Sequence, residues 1–221
     1  MKIGVLGGTG KEGSGLAYRW ALAGHEVVIG SRDASKAEAG AAELNQLLGG
    51  KAVVRGAANV EAAQSAVVVL TVPYAAQRAT AESVADQLAG KILIDVTVPL
   101  APPKVDRVQL PNGESAVVAL QRALGALGTQ VKVVSAFQNV SATHLKDPAH
   151  EVDCDVLVCG DDADAREVVI GLAHDAGLRA WHAGVLANSI ASEALTSVLI
   201  AINKRYKVAG SGLRITGVPL K

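Results

Sequence analysis

Aromatic residues make up only 3% of this 221-residue chain: two tryptophans, three tyrosines and one phenylalanine. A surface that stacks successive bases needs aromatic platforms, so the shortage argues against a single-strand nucleic-acid binder. Charge of one sign is also lacking. Twenty-one Lys and Arg balance 21 Asp and Glu, leaving no global field that would favour nucleic acid or an anionic membrane. Charge recognition must therefore be local. No apolar run reaches the roughly 18 to 20 residues of a spanning helix, and the first residues read as a strand rather than a signal peptide. No nucleic-acid or membrane partner is expected, and a cytoplasmic location is. The two cysteines, Cys154 and Cys159, fall in "VDCDVLVCG", which reads as one strand; at about 3.3 Å per residue they stand about 16 Å apart and cannot pair. The five histidines show no clustering with cysteine or acid, and no metal site is assigned.

Half the chain is hydrophobic, enough to bury a core in one large domain or a domain with a small appendage. Its pattern alternates. Lys2 to Gly7 reads as strand, Lys11 to Ala23 as helix and "HEVVIG" as strand. Ala34 to Leu48 is helical, "AVVRG" strand, Val60 to Gln64 a helical turn and "AVVVLTV" a buried strand. Ala75 to Leu88 then reads as helix and "KILIDVT" as strand, before a stretch broken by Pro99, Pro102, Pro103 and Pro111. Glu114 to Leu127 is helical, "VKVVSAF" strand, Ala165 to Ala176 helix and "LRAWHA" strand. The longest helix is expected over Ala187 to Lys207, with Ile190, Ala194, Leu195, Val198, Leu199 and Ile202 on a face that must pack on the main domain or on a second subunit. Such alternation predicts an α/β fold of the Rossmann type, a doubly wound, mostly parallel sheet, with a small C-terminal extension containing the long helix. The expected division is residues 1–135 and 136–221.

Gly8-Thr9-Gly10-Lys11-Glu12-Gly13 matches GxGxxG directly after a strand and at the start of a helix, the context that gives the pattern meaning. The first glycine is expected to permit the tight turn, the second to let the backbone approach a pyrophosphate, and the third to allow close helix packing. The phosphates would sit on the helix N-terminus. An NAD site places an acid at the end of the second strand, on the ribose 2'-hydroxyl. Here that position reads Gly30-Ser31-Arg32, with Lys36 one turn on. Arg32 can make two bonds to a 2'-phosphate, Ser31 can donate another and Lys36 adds charge. NADP is the expected cofactor.

No catalytic side chain is assigned. The residues four places after Tyr18, Tyr74 and Tyr206 are Leu22, Arg78 and Gly210, so the Tyr-x-x-x-Lys proton donor of short-chain carbonyl reductases is not encoded. A single remaining long helix is too little for the second domain of hydroxyacid and imine reductases. A hydride acceptor that carries its own chemistry, such as a flavin-like ring, fits better.

The segments "GVLGGTGKEGSGLA", "GHEVVIGSR", "VVVLTVP", "KILIDVTVPL", "VVSAFQNVSA", "VCGDD", "AGVLANS" and "SGLRITGV" resemble, nearly end to end, the NADPH-dependent coenzyme F420 reductases (F420H2:NADP oxidoreductases). That resemblance implies hydride transfer between NADP(H) and the deazaflavin coenzyme F420. It places Thr9, Gly10, Lys11, Glu12, Ser31, Arg32 and Lys36 at the adenosine phosphate end of NADP and Val72, Ala76, Val98 and Ala142 on the nicotinamide side, with Leu213 against the deazaflavin. Residues 136–221 would form the deazaflavin side, the ring lying between the loop Gln138 to Ala142 and the start of the last helix near Asn188. Where archaeal members carry histidine in that loop this chain has Gln138, which hydrogen-bonds but carries no charge near neutral pH. Two other readings stay open at this point: an NADPH-dependent reductase of another flavin or metal-linked acceptor, and a non-catalytic NADP sensor. A two-fold homodimer through the last helix or the tail is expected.

Overall fold

The computed structural model describes residues 1–219. Its first half alternates regularly: Lys2–Leu6 (β1), Lys11–Leu22 (α1), Glu26–Ser31 (β2), Ala34–Leu48 (α2), Val54–Ala58 (β3), Asn59–Ala62 (α3), Val67–Leu70 (β4), Tyr74–Glu82 (α4), Ala85–Leu88 (α5) and Ile92–Asp95 (β5). After the proline-rich stretch come Ala116–Ala126 (α6), Lys132–Ser135 (β6), Asp155–Gly160 (β7), Ala163–Asp175 (α7), Arg179–His182 (β8) and Ser189–Tyr206 (α8). The strands form one sheet in the order β3-β2-β1-β4-β5-β6-β7-β8. All neighbours are parallel except β6 and β7, which pair antiparallel only through Val134 with Gly160 and Ser135 with Cys159.

Apolar strands need cover on both faces. On one face Leu16 and Trp20 of α1, Leu44 and Leu48 of α2, and Val169 and Leu172 of α7 close the core; on the other, Ala62, Ala81, Leu88, Leu120 and Leu124 of α3 to α6 do so. The α2 boundaries follow from local chemistry. Asp33 accepts from Ser35 N at the start, and Gly49 takes the left-handed conformation at the end. The single helix expected over 75–88 is interrupted at Ser83 and Val84. Val84 leaves helical geometry (φ −124°, ψ 15°) and is fully buried, so packing overrides the local preference.

The last helix departs further from expectation. Its buried residues are Ser189, Ser192, Glu193, Ser197 and Leu199, whereas Val198 and Ile202 of the apolar stripe are exposed. Glu193 explains the buried polar residues. Its Oε2 accepts from Ala116 N at 2.8 Å and its Oε1 from Ser115 Oγ at 2.5 Å, so the carboxylate satisfies free donors at the start of α6. Leu186–Tyr206 is, by length and composition, apolar enough to cross a membrane, a property that a search for uninterrupted apolar runs overlooks. The polar face docked on the sheet accounts for this helix within the fold.

Candidate functional site

The carboxyl ends of β1, β2, β4 and β5 form the edge where the glycine turn lies. Gly7, not Gly8, takes positive φ (74°) and makes the tight turn. A Cβ on Gly8 would meet Ile29 Cβ at 2.6 Å, and one on Gly13 would meet Thr71 Oγ1 at 2.3 Å and Gly8 Cα at 2.9 Å. Both glycines are thus required by packing of α1 on the sheet. Gly10 differs: the nearest atom to its missing Cβ is Gly7 O at 3.4 Å, and the residue is exposed. Its openness leaves room for a ligand to approach the backbone. As the N-cap of α1 it has no side-chain cap bond, which leaves the helix N-terminus open to an anion. Thr9 and Lys11 stand exposed around it.

Ser31 ends β2, and its Oγ accepts from Asp33 N at 3.2 Å. Arg32 and Lys36 are exposed, and neither has an ion pair among the described residues. The adjacent Asp33 does not neutralise Arg32, because its carboxylate is turned to Ser35, whose hydroxyl and N–H hold its pKa down. Arg32 and Lys36 therefore stand beside the turn with no ion pair among the described residues, the Lys36 side chain contributing only a charge effect on Asp33. The residues fit NADP.

Two acids lie beneath this edge. Glu12 Oε1 is buried without a partner among the described residues, and burial, with the neighbouring Asp95 charge, pushes its pKa up to about 8. Asp95, fully buried at the end of β5, is raised to about 6, chiefly by burial. Gln77 Nε2 donates to Asp95 Oδ2 at 2.5 Å and to Thr97 Oγ1 at 2.7 Å, and Thr97 N donates to Asp95 Oδ1 at 2.9 Å. This brace joins α4 to the loop carrying Val98. Val72, Ala76 and Val98 are each half-buried and follow the ends of β4 and β5. Asp95 and Gln77 carry little signal in the sequence beyond an acid closing an apolar strand in "KILIDVT".

A second wall rises beyond β6. Phe137 is fully buried at φ 73°, a left-handed conformation costing about 1–2 kcal/mol for an L-residue. Burial of its ring contributes roughly 1.5–3 kcal/mol, and the edge-on contact with Trp20 at 5.9 Å adds to this, so packing prevails. The turn sends the next two side chains in different directions. Gln138 Nε2 donates to Asp95 O at 2.8 Å and Ser135 Oγ at 2.7 Å; Asn139 Nδ2 donates to Asp155 O at 2.7 Å and Cys154 Sγ at 3.2 Å. Gln138 is only 4% exposed and faces inward as a brace between β5 and β6. Ala142, half-buried, begins the next short helical turn. Arg19 secures the segment beyond that turn, its guanidinium donating to the carbonyls of His144, Leu145, Asp147 and His150, and to that of Ala176 at the end of α7.

The tail meets this wall. A Cβ on Gly210 would stand 2.7 Å from Ser141 Cβ, next to Ala142, and one on Gly212 would collide with Asp153 O at 2.3 Å. Leu213, half-buried, gives its carbonyl to Asp155 N at 2.7 Å. Loop 138–142 and Leu213 are therefore brought together. The start of α8 makes no hydrogen bond to that loop among the described residues. Asn188 Nδ2 closes a turn onto Ala183 O at 2.7 Å, and it is Thr196, two turns further along, that reaches Gln138 O at 2.7 Å. Strand direction accounts for this: β7 runs down from the tail, and β8, parallel to it, delivers the chain to α8 from the far end. "VCGDD" also has a local explanation. Asp161 Oδ1 accepts from Leu186 N at 3.0 Å and Asp162 Oδ1 from Ala165 N at 2.8 Å, so the pair serves the short turn at Leu186 and the start of α7.

Turn, sheet order and open helix N-terminus define a dinucleotide-binding protein of the Rossmann class. Residues 2–99 match the family described as "NADP oxidoreductase coenzyme F420-dependent". An F420-dependent NADP reductase of Methanothermobacter thermautotrophicus is 46% identical over 99% of this chain and 96% of its own, and that of Methanothermobacter marburgensis 44% identical over 99% and 100%. A solved structure from Arthrobacter sp. FB24, provisionally described as an F420-dependent NADP reductase, superposes with a TM-score of 0.82 at 31% identity, covering 98% of this chain and 99% of the other. The chain belongs to the F420-dependent NADP reductase family.

Proposed function

We propose that this protein transfers a hydride between NADP(H) and the deazaflavin coenzyme F420. Membership of the family supports the reaction, and the observation that carries the cofactor choice is the pair of unpartnered cations, Arg32 and Lys36, beside the open turn at Gly10. When both coenzymes are bound, their rings supply the redox chemistry between them. The chain's own residues bind and orient. The N-terminus of α1, with Thr9, Lys11 and Glu12, would receive the pyrophosphate; Ser31, Arg32 and Lys36 would hold the 2'-phosphate; Val72, Ala76 and Val98 would form an apolar seat for the nicotinamide, excluding water from it. Ala142 would complete the nicotinamide side and Leu213 would face the deazaflavin, with Gln138 bracing the loop behind. In this reading residues 1–135 serve NADP and 136–221 the second coenzyme. No side chain is required as acid or base.

We also infer a cytoplasmic homodimer. Val198, Ile202 and Tyr206 of α8, at 44%, 37% and 72% exposure, with Val208 at 47%, leave an apolar stripe that a two-fold copy would cover. The direct test of function is to mix the purified protein with NADPH and F420 and follow the deazaflavin absorbance. Loss of the oxidised band with NADPH, and far more slowly with NADH, is expected; no change with either cofactor contradicts the reading.

A further inference from the structure

Asp155 is the most heavily engaged buried acid outside the NADP edge. Its side chain is fully buried at the first position of β7, yet its hydrogen bonds hold its pKa below the ordinary carboxylate range against the opposing effect of burial. Oδ1 accepts from Arg179 Nε at 2.8 Å and also from Arg179 Nη2. Oδ2 accepts from Trp181 Nε1 at 2.8 Å and from Ile215 N at 2.7 Å. The backbone of the same residue grips both sides of the second wall: its N–H donates to Leu213 O and its carbonyl accepts from Asn139 Nδ2, each at 2.7 Å.

One residue thus holds the chain at Leu213 and again two residues later, and the loop of Gln138 to Ala142 as well. The position is available because β6 pairs with only the far end of β7, leaving donors and acceptors near Asp155 for the tail. Arg179 and Trp181, both on β8, fix the carboxylate so that it presents an oxygen to Ile215 N. A tail residue held only by its own side chain would sample many positions; two backbone bonds, at Leu213 O and Ile215 N, remove that freedom before a ligand arrives. We propose that Asp155 is a positioning residue that sets Leu213 against the second coenzyme, so that affinity for F420, and not for NADP(H), depends on the Asp155 to Ile215 bond. This rests on the proposed function, which places Leu213 at the deazaflavin.

The test compares wild type with Asp155→Asn, and with Ile215→Pro, which removes the tail's N–H donor and fixes the backbone at 215 and before it, while Asp155, Arg179 and Trp181 on β7 and β8 are unchanged. Arg214→Ala, which removes the tail's ion pairs with Asp153 and Asp155 and keeps the Ile215 N–H, is the control and should leave F420 affinity within about twofold. Dissociation constants for F420, read from deazaflavin fluorescence, and for NADPH are measured separately, with amide exchange in the tail of the ligand-free protein. Both variants are expected to bind F420 about tenfold more weakly, the effect of losing one charge-assisted bond, to keep NADPH affinity within about twofold, and to exchange the Leu213 amide faster. Leu213→Ala combined with Ile215→Pro should cost less than the sum of the two. Faster exchange with unchanged F420 affinity, or equal losses for both coenzymes, overturns the proposal. If Asp155→Asn does not fold, Ile215→Pro decides alone. A wild type that binds no F420 removes the functional reading itself, a result distinct from a wild type and variants that bind equally well.

Discussion

At the scale of single residues, cofactor choice turns on charges that lack partners among the described residues. Arg32 is exposed beside an aspartate that its own helix cap occupies, so its charge is free for a phosphate. Arg32→Ala is expected to raise the KM for NADPH by about tenfold or more while changing that for NADH by less than about twofold, since only the 2'-phosphate uses the charge-assisted bond. Steady-state kinetics with both cofactors checks this; equal effects contradict it. Glu12 works in the opposite sense. With a folded-state pKa of about 8 against an ordinary 4.5, the folded protein retains a proton that the unfolded chain has released. Stability therefore falls as pH rises from about 4.5 to about 8 and levels off above. Glu12→Gln should abolish that slope, leaving the smaller fall that Asp95 causes below about pH 6. In thermal unfolding, the variant should gain roughly 4 °C or more over wild type at pH 8 relative to pH 5; the same difference at both pH values contradicts the assignment.

At the scale of elements, the features legible in the sequence were those that local chemistry decides. Ala34–Leu48 matches the expected helix at both ends because its cap and its terminal glycine are encoded within a few residues. The glycine turn was legible for the same reason, although the positive φ belongs to Gly7, one residue earlier than the pattern suggests. The strand expected at "AVVRG" runs instead from Val54 to Ala58, since its register is set by pairing with β2, not by its own apolar residues. The second wall was illegible as geometry. Arg19 and Leu145 lie 126 residues apart, and nothing in either segment alone announces that one guanidinium gathers the other's carbonyls. Ala142 belongs to this wall, and its small size matters if two rings must approach within about 3–3.5 Å. Ala142→Phe is expected to lower kcat at least about tenfold with NADP affinity through Arg32 little changed; single-turnover rates alongside NADPH titration measure it, and an unaltered rate removes Ala142 from the site.

At the scale of the whole molecule, the alternating pattern was enough to anticipate the sheet, its parallel character and the long last helix, but not that polar residues of that helix would be the ones buried within the chain. Hydrophobic spacing finds a stripe without saying what covers it. Here a polar face docks, because Glu193 completes the start of α6; Leu199 packs inward with it, and Val198 and Ile202 of the stripe are left outside. If a second copy covers it, light scattering at micromolar concentration gives twice the 22.5 kDa chain mass, and Val198→Glu with Ile202→Lys shifts the protein to monomer without unfolding it. A monomeric wild type contradicts the homodimer.

In the proposed reaction the fold brings two coenzymes face to face and leaves the chemistry to them. NADPH deuterated at the transferred position of nicotinamide C4, reacted with F420 for a single turnover, tests it most directly. Mass spectrometry should find the label in the deazaflavin, from one of the two C4 positions only. Label lost to water, or taken equally from both positions, would contradict direct transfer.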